Sequence, residues 1–276
     1  MEEVMKNIRR LIGITILSMV LLAGGIKSFA AETAPAAAAT ENPGDKVFSG
    51  KITSTISYTF DNTNNKGLLT ISGTGKMNNL FKKLNEKKAP GQVKKRAFQQ
   101  YAKDVKKLVI EEGITYVGNG YFAYLNNLTT VQINGKKGKV ELGNSSFLQC
   151  KKLKKVSLKG VSKIGYGCFA RCTKLKDIDL EFCDGLKSLG NYAFYQCKAA
   201  RRFEFPTSMK SVGYACFYQC GNVKEFIFGG KLNKCGEFAF YKAGSKKKHS
   251  YISYPGKVPA KLKKEAKRGN LTIKSQ

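Results

Sequence analysis

Between residues 105 and 245, apolar side chains return in a fixed order: an alternating triplet, an apolar position just before a glycine, a phenylalanine, and usually a small residue three places on. The triplets are LVI at Leu108, VQI at Val131, VSL at Val156, IDL at Ile178, FEF at Phe203 and FIF at Phe226. The pre-glycine positions are Val117, Leu142, Ile164, Leu189, Val212 and Cys235. Alternation predicts short strands whose first and third side chains share a face, so Val156 and Leu158 point inward and Ser157 outward. Phe122, Phe147, Phe169, Phe194, Phe217 and Phe240 lie 25, 22, 25, 23 and 23 positions apart. A period of that size marks a solenoid, in which each coil is sealed only by the next. Stacking puts equivalent residues about 4.8 Å apart, as aliphatic, phenylalanine and cysteine ladders. The recurrent glycine points to a positive φ or a close backbone approach.

The flanks follow other rules. From Val47 the chain alternates through SGKITSTISYTF, turns in the Asn- and Asp-rich residues 61–67, and resumes in LLTISGTGKM, which predicts a hairpin. Residues 81–102 predict a loop broken by Pro90 and Gly91 and then a short helix, a cover for the first coil. Past the array, YISY at Tyr251 predicts a strand, residues 259–268 a short basic helix and LTI at Leu271 a further strand. Ahead of everything, Lys6, Arg9 and Arg10 precede an apolar run at 11–25 and small residues at Ser28, Ala30 and Ala31, the pattern of a cleaved signal peptide. A retained anchor is the alternative, although the run is short for a membrane span. The expected division is a signal peptide at 1–30, an Ala/Pro/Thr linker at 31–45, an N-terminal β cap with a short helix at 46–103, about six rungs at 104–245 and a basic C-terminal cap at 246–276. No later stretch is long and apolar enough to span a bilayer.

The unit CxxLxxVxIxxVxxIGxxAFxxC, met almost position for position in CKKLKKVSLKGVSKIGYGCFARC at residues 150–172, resembles the BspA-like leucine-rich repeat of bacterial cell-surface proteins. ISYTF, LLTISGTGKM and VKKLVIEEGITYVGNGYF are similar to the strand pair and first rung that precede such arrays, so the likeness runs over roughly residues 56–243. The departures are Leu125 and Ala243 where Cys is usual, a two-residue expansion at 135–138, and a heavier load of lysine. The resemblance implies an α/β-type leucine-rich-repeat solenoid of stacked parallel strands with short helical or irregular segments and a β-hairpin N-cap. It also implies a secreted or cell-surface protein that mediates adhesion or binds host or bacterial surface proteins, without catalysis. The chain is expected to act as a monomer.

Charge adds a second reading. With 49 Lys and Arg against 19 Asp and Glu, the formal net charge is +30. Such an excess suits an anionic wall polymer, acidic glycan or nucleic acid, or serves solubility alone. Two surfaces are candidates. The outward strand positions Lys155, Ser157, Asp177, Asp179, Arg202, Glu204, Glu225 and Ile227 line one side of the sheet, the face through which solenoids bind. Tyr195, Tyr218 and Tyr241, with Arg171 and Lys242 nearby, stack on three successive rungs as an aromatic platform for sugars or anions, or else as a lateral seal.

Catalytic chemistry is poorly served. The carboxylates of the strands, Asp177, Asp179, Glu181, Glu204 and Glu225, alternate with Lys155, Lys176, Arg202 and Lys224, so cross-strand pairing explains them more economically than a glycosidase pair. His249 is the one imidazole, no CxxC is present, and phosphate-loop and dinucleotide fingerprints are absent, so no metal and no cofactor is expected. Of eight cysteines, seven fall on inward positions and read as buried thiols, with one or two bridges or metal capture as the alternative. Cys183 lies off the pattern and is expected to be exposed.

Overall fold

The computed structural model describes residues 47–81, 96–180, 183, 185–245 and 249–275. The expected signal peptide, the linker, the loop around Pro90 and Gly91, and Glu181 lie outside them.

The chain enters through three antiparallel strands: β1 (Val47–Lys51) pairs β2 (Ile56–Asp61), and β2 pairs β3 (Leu68–Gly73). The first run of the expected hairpin is thus two strands, because the main-chain N–H groups of Ile52 and Thr53 both fold back onto the carbonyl of Ile56. β3 is the adaptor, antiparallel to β2 and parallel to β5 (Lys107–Ile110), with Leu69 opposite Leu108 and Ile71 opposite Ile110. The Tyr101 ring stacks on Phe48 at 4.6 Å and on Phe60 at 4.9 Å, closing this end. The short helix expected here is a 3-10 turn at Gln99–Tyr101.

Each coil then contributes strands to parallel sheets. The first sheet continues from β5 through β7 (Thr130–Asn134) and β9 (Lys155–Lys159) to β11 (Asp177–Asp179). The second runs from β4 (Gly75–Lys76) through β6 (Ile114–Val117), β8 (Val140–Leu142), β10 (Val161–Ile164), β12 (Ser188–Leu189) and β14 (Ser211–Val212) to β16 (Lys234–Cys235). A third, of β13 (Arg202–Phe205), β15 (Glu225–Phe228), β17 (Tyr251–Tyr254) and β18 (Thr272–Ser275), carries the parallel stacking beyond the last phenylalanine unit. The core between them is continuous: Val131, Val156, Leu158, Phe203 and Phe226 are all buried, as the triplets predict.

The phenylalanine turns form a third side with its own hydrogen-bond ladder. The N–H groups of Phe122, Phe147, Phe169, Phe194 and Phe217 each donate to a carbonyl of the next coil, at 2.7 to 2.9 Å. Residues two before and two after do the same; Ser145 donates to Tyr166 and Gln149 to Ala170. These flanking residues are left-handed, Ser145 at φ 57 and Gln149 at φ 55, Tyr192 at 59 and Gln196 at 57. Outside glycine that conformation costs about 1–2 kcal/mol per residue, offset by the inter-coil bonds and by burial of the rings. Successive ring centroids stand 5.5, 5.1, 5.4, 5.7 and 5.4 Å apart from Phe122 to Phe240.

The recurrent glycine is there for proximity. Gly165, Gly190 and Gly213 are absent from the positive-φ residues, but a Cβ on Gly190 would lie 2.6 Å from the carbonyl carbon of Gly165, and one on Gly213 2.5 Å from that of Gly190. The cysteine three past the ring also has a polar task. The thiols of Cys150, Cys172, Cys197 and Cys220 each donate to the carbonyl of the preceding coil's phenylalanine at 3.2 Å.

The stack has two ends, and opposite charges cover them. At the first, buried Arg96 donates from Nε to the carbonyl of Tyr121 at 2.6 Å and from Nη2 to that of Ala123. Leu80 and Phe81 N–H groups take the carbonyl of Asn119. At the other, helix α1 (Ala260–Arg268) turns Leu262, Glu265 and Ala266 inward. The Glu265 carboxylate faces the N–H of Phe238 and accepts from Arg268 Nη1 at 2.9 Å, while Lys242 N–H donates to the Arg268 carbonyl.

Candidate functional site

The outward strand positions meet in the register the repeat implies. Lys155 lies opposite Asp177 and Ser157 opposite Asp179 on β9 and β11, with a 3.1 Å hydrogen bond between Ser157 Oγ and Asp179. Arg202 lies opposite Glu225, and Glu204 opposite Ile227, on β13 and β15.

These two groups do not share one sheet. In the coils on either side, the residue leading into the strand donates its N–H to the equivalent residue of the preceding coil: Lys154 to Thr129, Lys176 to Lys154, Lys224 to Arg201. The corresponding donation from Arg201 or Arg202 to Lys176 is missing, so β11 closes the first sheet and β13 opens the third. The interruption widens into a cleft of about 320 Å³ lined by Lys176, Asp177, Ile178, Arg201, Arg202 and Glu204. Ile178, an inward position in the triplet pattern, is consequently only half-buried. Arg201 and Ile178 escape a reading based on outward strand positions; the faint signal is Asp at both 177 and 179, a residue depleted in strands, on a strand of three residues.

Beyond the cleft the charges are engaged across strands. Arg202 pairs with Glu204 at 3.0 Å and with Glu225 at 3.4 Å. Glu225 also hydrogen-bonds the Tyr251 hydroxyl, raising its pKa, and Lys274 Nζ sits 3.9 Å from the centre of the Tyr251 ring. One polar network thus spans β13, β15, β17 and β18. Carboxylates held by an arginine and a phenol in this way make a recognition surface more readily than an acid and base pair.

The tyrosine stripe stacks, with Tyr195 to Tyr218 at 5.7 Å and Tyr218 to Tyr241 at 4.8 Å, but it is not an open platform. Tyr195 has no exposed surface and Tyr218 is 6% exposed, both inside a second apolar cluster with Ala123, Leu148, Ala170 and Tyr192. Burial pushes the Tyr218 hydroxyl up to about 12. These rings seal the outer side of the phenylalanine turns, and Tyr241 alone of the three retains part of its surface.

All eight cysteines are free thiols. Cys183 is buried, contrary to its expected exposure, because its thiol reaches in to the carbonyl of Leu158 at 2.7 Å. Cys235 is the part-exposed one, and burial still drives its pKa up to about 12. Among the described residues no cluster of His, Cys, Asp and Glu is arranged to hold a metal ion, and no helix is long and apolar enough to cross a membrane.

Solved structures with a similar fold include a leucine-rich repeat protein from Bacteroides ovatus, 23% identical over 62% of this chain and 42% of that one, with a TM-score of 0.52. Another is a leucine rich cell surface protein from Faecalibacterium prausnitzii, 17% identical over 77% of this chain and 54% of that one, with a TM-score of 0.47. The chain spans less than half the length of the Bacteroides ovatus protein. No curated protein matches. Six copies of the BspA type leucine rich repeat region match over residues 91–184 and 140–258. With its coils, its phenylalanine ladder and most of its length accounted for by that repeat, the chain belongs to the BspA-type leucine-rich-repeat family.

Proposed function

We propose that this protein is a non-catalytic interaction module of the bacterial cell exterior, adhering to host or bacterial surface proteins through the face that runs from β9 to β15. Membership of a repeat family found on bacterial surfaces and the Lys6–Ala31 leader pattern support the location. The cleft between β11 and β13 carries the choice of face. It breaks a flat ladder with a concavity whose walls include two arginines and a half-buried isoleucine, and arginine beside apolar surface is the composition of interface hot spots. Ile227 and Glu204, paired in register, continue the surface away from the cleft.

The test is a panel of purified host and bacterial surface proteins screened against the full chain at low and high salt. A partner should be held at both, because apolar burial is not screened. Ile227→Asp and Glu204→Lys should each abolish that binding without lowering the melting temperature. Binding that survives both substitutions places the partner elsewhere and overturns the assignment of this face.

A further inference from the structure

The loops that lead into the first strand of each coil carry a run of cations beside that face. Main-chain bonds fix which residues are equivalent, Lys176 donating to Lys154 and Lys224 to Arg201. Lys154, Lys176, Arg201 and Lys224 therefore form one column, one exposed cation per coil over four coils. Two residues earlier Lys152 and Lys174 begin a second column, and Lys151 and Lys198 stand one place further out. No carboxylate occupies an equivalent loop position in these coils. Among the described residues none of the four column cations is in an ion pair.

Like charges one rung apart, about 4.8 Å, repel each other. The loops leading into the second sheet avoid this by mixing residue types, with Ser162, Lys187, Lys210 and Asn233 in the equivalent column. The uncompensated rim is specific to one side of the molecule.

We propose that the rim binds a linear acidic glycan, a polyuronate with one carboxylate on every sugar, laid along the solenoid axis. Its repeat is one anion per pyranose ring, and the rim's repeat is one cation per rung, so carboxylates and cations stay in step over four coils. The Asn127 amide, whose Oδ1 accepts from Lys152 Nζ at 2.8 Å, and Asn222 on the last of these coils offer hydrogen-bonding groups to sugar hydroxyls at the two ends. Duplex DNA carries a charge about every 1.7 Å of its axis, nearly three per rung, and leaves most of its phosphates unmatched by such a column. This inference goes beyond the protein-docking face, and its test shares no residue with that one.

Polygalacturonate binding to the full chain is measured between about 50 and 200 mM salt. Engagement of four carboxylates predicts a loss of affinity on the order of 50-fold across that range. The double variant Lys152→Glu/Lys174→Glu should lower the salt slope by at least about two, while Lys187→Glu/Lys210→Glu, with the same change in net charge, leaves it unchanged. Equal losses in the two variants, undiminished binding of the methyl-esterified polymer, or tighter binding of DNA or polyphosphate at the same salt would each overturn the proposal.

Discussion

Arg96 donates from Nε to the main-chain carbonyl of Tyr121 at 2.6 Å, and that bond stands where another coil would have placed a backbone N–H. Inside the array the carbonyls on either side of each ring, such as Ser146 and Leu148, are taken by N–H groups of the preceding coil, those of Phe122 and Tyr124. The first coil has no such predecessor, and one guanidinium serves both Tyr121 and Ala123. Phe98 continues the ring stack onto Phe122 at 5.9 Å, so side chain and ladder are closed by neighbouring residues.

Arg96→Ala leaves two buried carbonyls without donors, at about 1–3 kcal/mol each. Equilibrium denaturation should show a loss of about 2–5 kcal/mol, with faster amide exchange in the first coil. Arg96→Lys should restore little of it, because one ammonium lacks the fork that reaches both acceptors. Full stability in Arg96→Lys would mean that charge alone matters there.

Glu265 covers the opposite end, and burial holds its carboxyl above the ordinary glutamate value even though Arg268 and Lys261 pull it down. The folded chain therefore binds this proton more tightly than the unfolded one. Its contribution is fullest below the unfolded pKa of about 4.3 and is lost as pH rises through the folded value. The melting temperature of the wild type relative to Glu265→Gln should accordingly rise as pH is lowered from about 7 to about 4.5. A relative fall would show that the site favours the anion.

The glycines and rings make separate demands on the spacing of the coils. Gly190→Ala drives a methyl against the Gly165 backbone and should cost about 1–3 kcal/mol by overpacking. Phe194→Ala empties a site between Phe169, Phe217 and Phe203 and should cost about 3–5 kcal/mol. Denaturant titration of both variants checks the order, and a harmless Gly190→Ala would contradict the close approach.

The thiols should be inert in the native protein. Seven are buried, and desolvation raises those of Cys168, Cys172, Cys197, Cys216 and Cys220. A chromogenic thiol titration near neutral pH should detect Cys235 alone, slowly, and all eight after unfolding, since the thiolate is the reactive form. Prompt modification of Cys183 would contradict its burial.

Coil, strand and inward face are legible in the sequence because burial repeats: Val156, Leu158 and Phe169 occupy the positions their spacing assigns. The fate of the tyrosines is legible only in part. Ala123, Leu148 and Ala170 hold the Tyr195 column in earlier coils, an apolar signature pointing to the seal, while the letter Tyr fits a platform equally well. The end caps are harder, since Arg96 and Glu265 lie outside the repeat and act on main-chain atoms that every sequence carries. The cleft between β11 and β13 is harder still, because a missing hydrogen bond between backbones leaves the hydrophobic pattern untouched.

That interruption is the claim on which the binding face depends, and residue-resolved amide hydrogen exchange tests it most directly. The N–H groups of Lys154, Lys176 and Lys224, each bonded to the coil before, should be protected, and so should those of Phe147, Phe169 and Phe194. The Arg201 N–H, at the break, should exchange much faster than these. Protection of Arg201 equal to that of Lys176 and Lys224 would mean a continuous sheet with no cleft, contradicting the account.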